Sequence, residues 1–372
     1  MKTKVLYIIY SSTNSSGGGH FYSLDAISKG LSSIIDFKIL NLGAVYAKPL
    51  RDVDNTYFIN LFKFSFFTKI FSVYSFVKEF EPEVIHAFDF NALFIARSIS
   101  FFYKAKVVYT KCGGGNGSNY IPDADVQILF SKENLDHFHK YSTTHIPRYL
   151  LPNRVNLTKK DEIHIQNFKE KFNLTDKFIL LRISRFNSYY DLSFRQSISL
   201  LKQALKYNED AVLVFVGQIQ NEDYFQELQS SVESDLPILF ITTDVYTKKA
   251  SRLIDVADVV IATGRGAMEA CSLNKTVFCP LKNTNLPILL NDESIESLTK
   301  TNFSERGKYD DRTKIYDFVW ENEFKIDTLK YFEKYFKVES VINDYKIIYR
   351  QKTTNKFRLG NYLSHLIRFF KI

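Results

Sequence analysis

The chain is 372 residues long, 45% hydrophobic and 24% charged, with 14 Gly, 8 Pro and 3 Cys. At about 100 to 200 residues per domain that length predicts two domains, and the apolar fraction excludes a disordered or collagen-like chain. The net charge of +8 is concentrated beyond residue 343, where Lys346, Arg350, Lys352, Lys356, Arg358, Arg368 and Lys371 face Asp344 alone; the body of the chain therefore lacks the spread basic face of a nucleic-acid binder.

No run of about 20 apolar residues offers a membrane span. The first apolar run, 5–10, has no cleavage-site pattern behind it and is too short for a signal core, so it reads as a buried strand. Ser15, Ser16, Gly17, Gly18, Gly19 and His20 follow it and open a helix with Phe21, Leu24, Ile27 and Leu31 on one face. Glycine lets a backbone approach a ligand closely, and a helix N-terminus attracts an anion. The spacing is neither GxGxxG nor GxxxxGK[ST], which disfavours a nicotinamide enzyme and a P-loop ATPase and leaves a ligand-free turn as the other reading.

Further strands are predicted at 37–40, 84–87, 107–110 and 126–130. The aromatic stretch 57–80, broken by Lys63, Lys69 and Lys78, reads as an amphipathic helix, interfacial or packed in the core. After the strand at 107–110 comes Lys111-Cys-Gly-Gly-Gly-Asn-Gly-Ser-Asn119, a glycine-rich loop suited to closing over a substrate. Lys111 and Gly113 are acceptor-side candidates there, whereas Cys112 has no identifiable His partner and reads as packing. The three cysteines form no CxxC pair, which excludes a disulfide scaffold or zinc ribbon and fits a reducing compartment.

A polar segment, 153–176, separates this half from a second series of strands at 178–183, 211–216, 238–242, 259–262 and 276–279. Strands alternating with helical periodicity predict two doubly wound α/β domains with parallel sheets, 1–152 and 177–342, and a cleft between them at the carboxyl ends of the strands. The remainder, 343–372, mixes basic residues with Tyr362, Leu363, Leu366, Ile367, Phe369 and Phe370. It suits an anionic membrane surface, or a packed terminal helix with solvated charges. Asp123-Ala-Asp125 and Asp255-Val-Ala-Asp258 each precede a strand and suit turns, and no cluster has metal-ligand spacing, so a metal-independent site is expected.

The most informative stretch runs Asp258-Val-Val-Ile-Ala-Thr-Gly-Arg-Gly-Ala-Met-Glu269-Ala-Cys-Ser-Leu-Asn-Lys-Thr-Val-Phe-Cys-Pro280. Gly264 and Gly266 bracket Arg265 where a strand passes into a short helix, so backbone amides and a guanidinium would face a diphosphate together. Glu269, placed in the first turn, would bind a ribose diol or cap the helix.

This stretch resembles the nucleotide-binding signature, E-A-M-A-x-G-x-P-V, of retaining GT-B glycosyltransferases of the glycogen-synthase-like group. Pro82-Glu-Val-Ile-His-Ala-Phe-Asp89 is similar to the family's P-D-V-V-H-x-H-D, Leu151-Pro-Asn-Arg-Val-Asn156 to I-P-N-G-V-D, and Leu181-Arg-Ile-Ser-Arg185 to V-G-R-L. The resemblance implies two Rossmann-like domains and transfer of a sugar, with retention, from a nucleoside-diphosphate sugar to a saccharide or lipid-linked saccharide in cell-surface polysaccharide synthesis. No cofactor is expected, and the basic aromatic tail with the stretch 57–80 suggests a cytoplasmic protein peripheral to the inner membrane face, working on a lipid-linked saccharide. Glu269 would hold the ribose and Gly264, Arg265, Gly266, Ala267 and Met268 the diphosphate, joined by Arg185, Gly217 and Thr243. His86 and Asp89 would line the transferred sugar, Gly17, Gly18 and Gly19 the cleft floor, and His20 the acceptor side.

Three positions depart from that pattern. Ile261 stands where the first of two paired glutamates is usual, Phe88 replaces the second histidine, and Tyr190 replaces a lysine. They keep two alternatives open: a nucleotide-sugar epimerase on the same fold, and a catalytically degenerate member that serves as a scaffold.

Overall fold

Apolar runs bounded by polar turns become strands, and each 3.6-period segment between them becomes the helix covering the sheet. The structure, a computed structural model, describes residues 2–12, 18–62, 65–142, 145–309, 326–352 and 359–371. Two units form: Met1–Val155 with Val338–Ile372, and Asn156–Lys337.

The first unit runs β1 (Thr3–Ser11), α1 (Gly19–Gly30), β2 (Ile35–Gly43), β3 (Thr56–Asn60), α2 (Phe66–Phe80), β4 (Val84–Ala87), α3 (Phe90–Ile99), β5 (Lys106–Lys111), β6 (Val126–Leu129), α4 (Lys132–Tyr141) and β7 (Arg148–Leu150). Its strands make one parallel 7-stranded sheet in the order β3-β2-β1-β4-β5-β6-β7. Alternation along β1 explains why its sequence is apolar throughout. Val5, Tyr7 and Ile9 face α1, while Leu6 and Ile8 face α2 and α3, so both sides are covered.

In the second unit the order is α5 (Glu162–Lys171), β8 (Phe178–Ile183), α6 (Asp191–Ala204), β9 (Ala211–Val216), α7 (Glu222–Ser230), β10 (Ile238–Ile241), α8 (Asp244–Thr247), β11 (Val259–Ile261), α9 (Arg265–Ser272), β12 (Thr276–Cys279), β13 (Ile288–Leu289), α10 (Ile295–Lys300) and α11 (Leu329–Tyr331). The 6-stranded sheet is ordered β10-β9-β8-β11-β12-β13, parallel except at β13. The segment expected to be a linker, 153–176, therefore contains α5, whose Phe168 is fully buried.

The chain then returns to the first unit as α12 (Ile342–Arg350) and α13 (Leu359–Lys371). This differs from the expected separate tail at 343–372 and from a second domain reaching 342. Tyr345, Ile348 and Tyr349 of α12 sit in the same core as Val5 and Tyr7. The Tyr349 hydroxyl bonds the Tyr7 hydroxyl at 3.0 Å and His86 Nδ1 at 2.9 Å. Lys106 Nζ donates to the carbonyls of Ile348 and Tyr349 at 2.9 and 2.7 Å, a cation at a helix C-terminus. On α13, Phe369 stacks on Phe94 at 4.5 Å and His365 Nε2 pairs with the Phe90 carbonyl at 2.9 Å.

The aromatic stretch divides as well. Thr56–Asn60 is an edge strand, and among the described residues of the stretch the helix runs Phe66–Phe80.

Candidate functional site

In the second unit the site begins where β11 stops. Gly264 has φ 55 and ψ −128, backbone that a side chain rarely tolerates, and its N–H donates to the Phe303 carbonyl at 3.0 Å. Asn302 and Phe303, which brace the turn, themselves have φ of 54 and 56. A buried phenylalanine in the left-handed region costs energy, and such conformations cluster at functional sites. The turn delivers the chain into α9, which no side chain caps. Helix-terminal N–H groups are thus presented at the carboxyl end of the sheet, where α/β sheets bind ligands.

Glu269 is the fifth residue of α9, one turn further in than expected, which removes its capping role. Its Oε1 instead accepts from Arg265 Nε at 2.8 Å, with both side chains partly exposed. The Arg265 guanidinium, expected to face a diphosphate, is thus one half of an ion pair. Ala267 and Met268 are buried, and the Ala267 N–H bonds the Gly264 carbonyl at 3.3 Å, so it is not the open donor expected. Gly266 and the turn residues Thr263 and Gly264 keep partial exposure.

A buried arginine outside the expected site residues lies beneath the turn. Arg182, on β8, is 3% exposed. It donates to the Ile261 carbonyl at 3.4 Å, to Ser193 Oγ at 2.9 Å and to Thr263 Oγ1 at 3.4 Å, tying β8 to the end of β11. Burial pulls the guanidinium down to about 10, opposed by the neighbouring Glu305, whose carboxyl burial raises. The signal was in the sequence: Arg182 is the one charge in the apolar strand Phe178–Ile183.

Arg185, just past the same strand, donates to the Tyr190 hydroxyl, and its guanidinium lies 5.4 Å from the Tyr190 ring centre. Tyr190 at the usual lysine position is thus a platform for the arginine. A Cβ on Gly217 would lie 1.7 Å from the Ser184 carbonyl oxygen, and its N–H is taken by Ile241, so this glycine serves close strand approach. Thr243 precedes α8 without capping it.

In the first unit the candidates fall within or just after β1, β4 and β5, adjacent strands of one sheet. His86 is wholly buried, with Nδ1 on Tyr349 and Nε2 on Thr110 Oγ1 at 2.7 Å. Burial drives it down to about 3, so it is a neutral structural histidine and not the sugar-lining group expected. Asp89 caps α3, one oxygen accepting from Ala92 N at 2.8 Å and the other from Tyr10 N at 2.6 Å. Burial raises it to about 6 against those bonds. Both oxygens serve backbone, which removes the sugar-lining role expected for it.

Burial and Asp89 push the Cys112 thiol up, and its Sγ lies 3.4 Å from the Phe88 carbonyl, as packing requires. Lys111 Nζ bonds the Gly115 carbonyl at 3.2 Å, and Gly113 has φ 97. Gly18 precedes α1, the His20 ring folds back over it, and Gly19 has open space around its α-carbon. Gly17, with Ser15 and Ser16, lies outside the described residues. No described helix is long and apolar enough to cross a membrane, and the described residues form no His, Cys, Asp or Glu group able to hold a metal.

No protein-family model and no curated protein sequence matches the chain. Solved structures do. Anabaena Alr3699/HepE, in complex with UDP and glucose, aligns with TM-score 0.62 at 15% identity over 93% of this chain and 99% of its own. A glycosyltransferase from Rickettsia africae gives 0.63 at 14% identity over 94% and 98%. A putative UDP-N-acetylglucosamine 2-epimerase from Listeria monocytogenes gives 0.59 at 13% over 96% and 100%. At such identities the likeness fixes architecture alone: each unit is a Rossmann-like α/β domain with a predominantly parallel sheet, and the fold is GT-B.

Proposed function

We propose that the chain is a glycosyltransferase that takes a sugar from a nucleoside-diphosphate sugar and passes it, with retention, to a saccharide hydroxyl. The observation that carries this reading is the turn into α9: a glycine of positive φ, an uncapped helix start and the partly exposed Arg265–Glu269 pair in one stretch. Glu269 would accept both ribose hydroxyls, with Arg265 holding the carboxylate in place. Departure of the diphosphate leaves negative charge, met by the amides that begin α9 and by Arg185 on its Tyr190 platform. Each such pre-oriented donor is worth about 3 to 4 kcal/mol in comparable sites. His20, Lys111 and Gly113 remain the acceptor candidates, and the natural setting is assembly of a cell-surface polysaccharide.

The likeness to HepE with UDP supports a uridine nucleotide as the first to try. Ligand at 100 times its dissociation constant stabilises a fold by about 2.7 kcal/mol. A melting-temperature screen of UDP, GDP, ADP and CMP should therefore single out one nucleotide, followed by sugar transfer from the matching donor. Silence from the whole series would remove the donor reading.

A second reading is epimerisation of the donor, favoured by the likeness to the Listeria protein. It predicts a changed sugar configuration when the donor is supplied with no acceptor.

A further inference from the structure

Two features of the sequence remain unused by donor chemistry, the aromatic stretch and the basic aromatic tail. The fold brings them to one face of the first unit. On α2, Phe67 and Phe71 are 69% and 70% exposed, and with Tyr74 and Lys78 they follow the spacing of one helix flank. That flank meets α13, where the Phe67 and Phe370 rings stack at 6.1 Å. It also meets the end of α3, where Tyr74 touches Phe102 edge-on at 6.2 Å and Phe102 is itself 75% exposed.

Folding does not account for these side chains. α13 already satisfies the core through Tyr362, Leu366 and Phe369, yet Leu363, Ile367 and Phe370 form a second, exposed apolar stripe beside that face. The apolar arc of α13 spans roughly 160°, about one and a half times what one buried face requires. Exposed aromatics on three elements in mutual contact make a continuous patch of the kind that marks an interaction surface.

Charge identifies the occupant. Residues 61–80 carry Lys63, Lys69 and Lys78 against Glu79, residues 99–105 carry Lys104, and residues 356–372 carry Lys356, Arg358, Arg368 and Lys371 with no Asp or Glu. Lys63, Lys356 and Arg358 lie outside the described residues, while Lys69, Lys78 and Lys104 are exposed. A second copy docked on this face would bring cations against cations. An anionic bilayer supplies the opposite charge, and its interface accommodates aromatic rings.

We propose that α2, the α3 end and α13 form a docking face for an anionic lipid bilayer, with the rings entering the interface and the lysines at its headgroups. The test is co-sedimentation of the full chain with vesicles of phosphatidylcholine alone and of equal parts phosphatidylcholine and phosphatidylglycerol. Binding is expected to the anionic vesicles and to weaken as salt is raised. Phe71→Asp with Phe102→Asp should lower it by about tenfold or more, with unchanged circular dichroism because both rings are exposed. Lys78→Glu with Lys104→Glu, a pair that leaves the aromatic face intact, should give a loss of about the same size. Failure to bind anionic vesicles, equal binding to both vesicle types, indifference to both pairs of substitutions, or a dimer in sedimentation equilibrium that the aspartates dissolve would each overturn the proposal. The melting response to UDP reports on the donor site separately and should not change in any of these variants.

Discussion

In the proposed donor site, Glu269 is the residue whose placement differs from that of an ordinary helix start. As a capping group it would have sat within reach of the first amides, whereas one turn in it holds Arg265 at 2.8 Å and leaves the helix end uncapped. Gly264→Ala should cost about 1 to 3 kcal/mol in a urea titration, because alanine cannot adopt φ 55 with ψ −128 without strain. Nucleotide response should fall with it, since the amides would be re-aimed. Arg182→Met should cost about 1.5 to 3 kcal/mol, the worth of charged hydrogen bonds, and raise KM for the donor with a smaller change in kcat, since its bonds reach the turn only through Thr263. An unaltered KM would limit Arg182 to the core.

Titration gives a further residue-scale prediction. Burial holds His86 at about 3 and His365 at about 4, so between those values and about 6.5 the unfolded chain binds the extra protons. Stability contributed by both is present above about 6.5 and is lost as pH falls. Asp89, raised to about 6, works the other way, since there the folded state holds the proton between about 3.9 and 6. Two groups against one leave net acid sensitivity from these three, and His365→Gln should flatten the decline in urea midpoint between neutral and acid pH. An equal or steeper decline would contradict the assignment.

Among the elements, α12 carries the most structural weight for its size. Tyr349 joins Tyr7 and His86 in a buried polar network, and Tyr349→Phe would leave both without that partner, at a cost of about 1 to 3 kcal/mol by denaturant melting. This part of the fold was not legible in the sequence. Long apolar runs such as 178–183 and 211–216 showed as strands because both faces of those strands are covered. β3, β7 and β13 did not, being short edge strands of 5, 3 and 2 residues, the first two without a buried run and the last too short to show as one. The tight turn at Gly264 was legible because backbone chemistry demands a residue type there, whereas side-chain roles were misread where a partner lies far along the chain. His86 looks catalytic until Tyr349, 263 residues on, is seen to satisfy it.

At the scale of the whole molecule, the chain closes its first unit with its last segment. Deleting 338–372 would strip Val341, Tyr345, Ile348 and Tyr349 from the core that holds Val5 and Tyr7. The truncated protein should expose residues 1–155 to rapid proteolysis while 156–337 survives as a protected fragment. Equal survival of both fragments would count against the division. The central claim, that a nucleoside diphosphate sits at the start of α9, is tested most directly by calorimetric titration of UDP into the full chain and into Glu269→Ala. The account predicts saturable binding to the first and at least about tenfold weaker binding to the second, in keeping with loss of charge-assisted hydrogen bonds to the ribose. Equal affinity in the two proteins would contradict it.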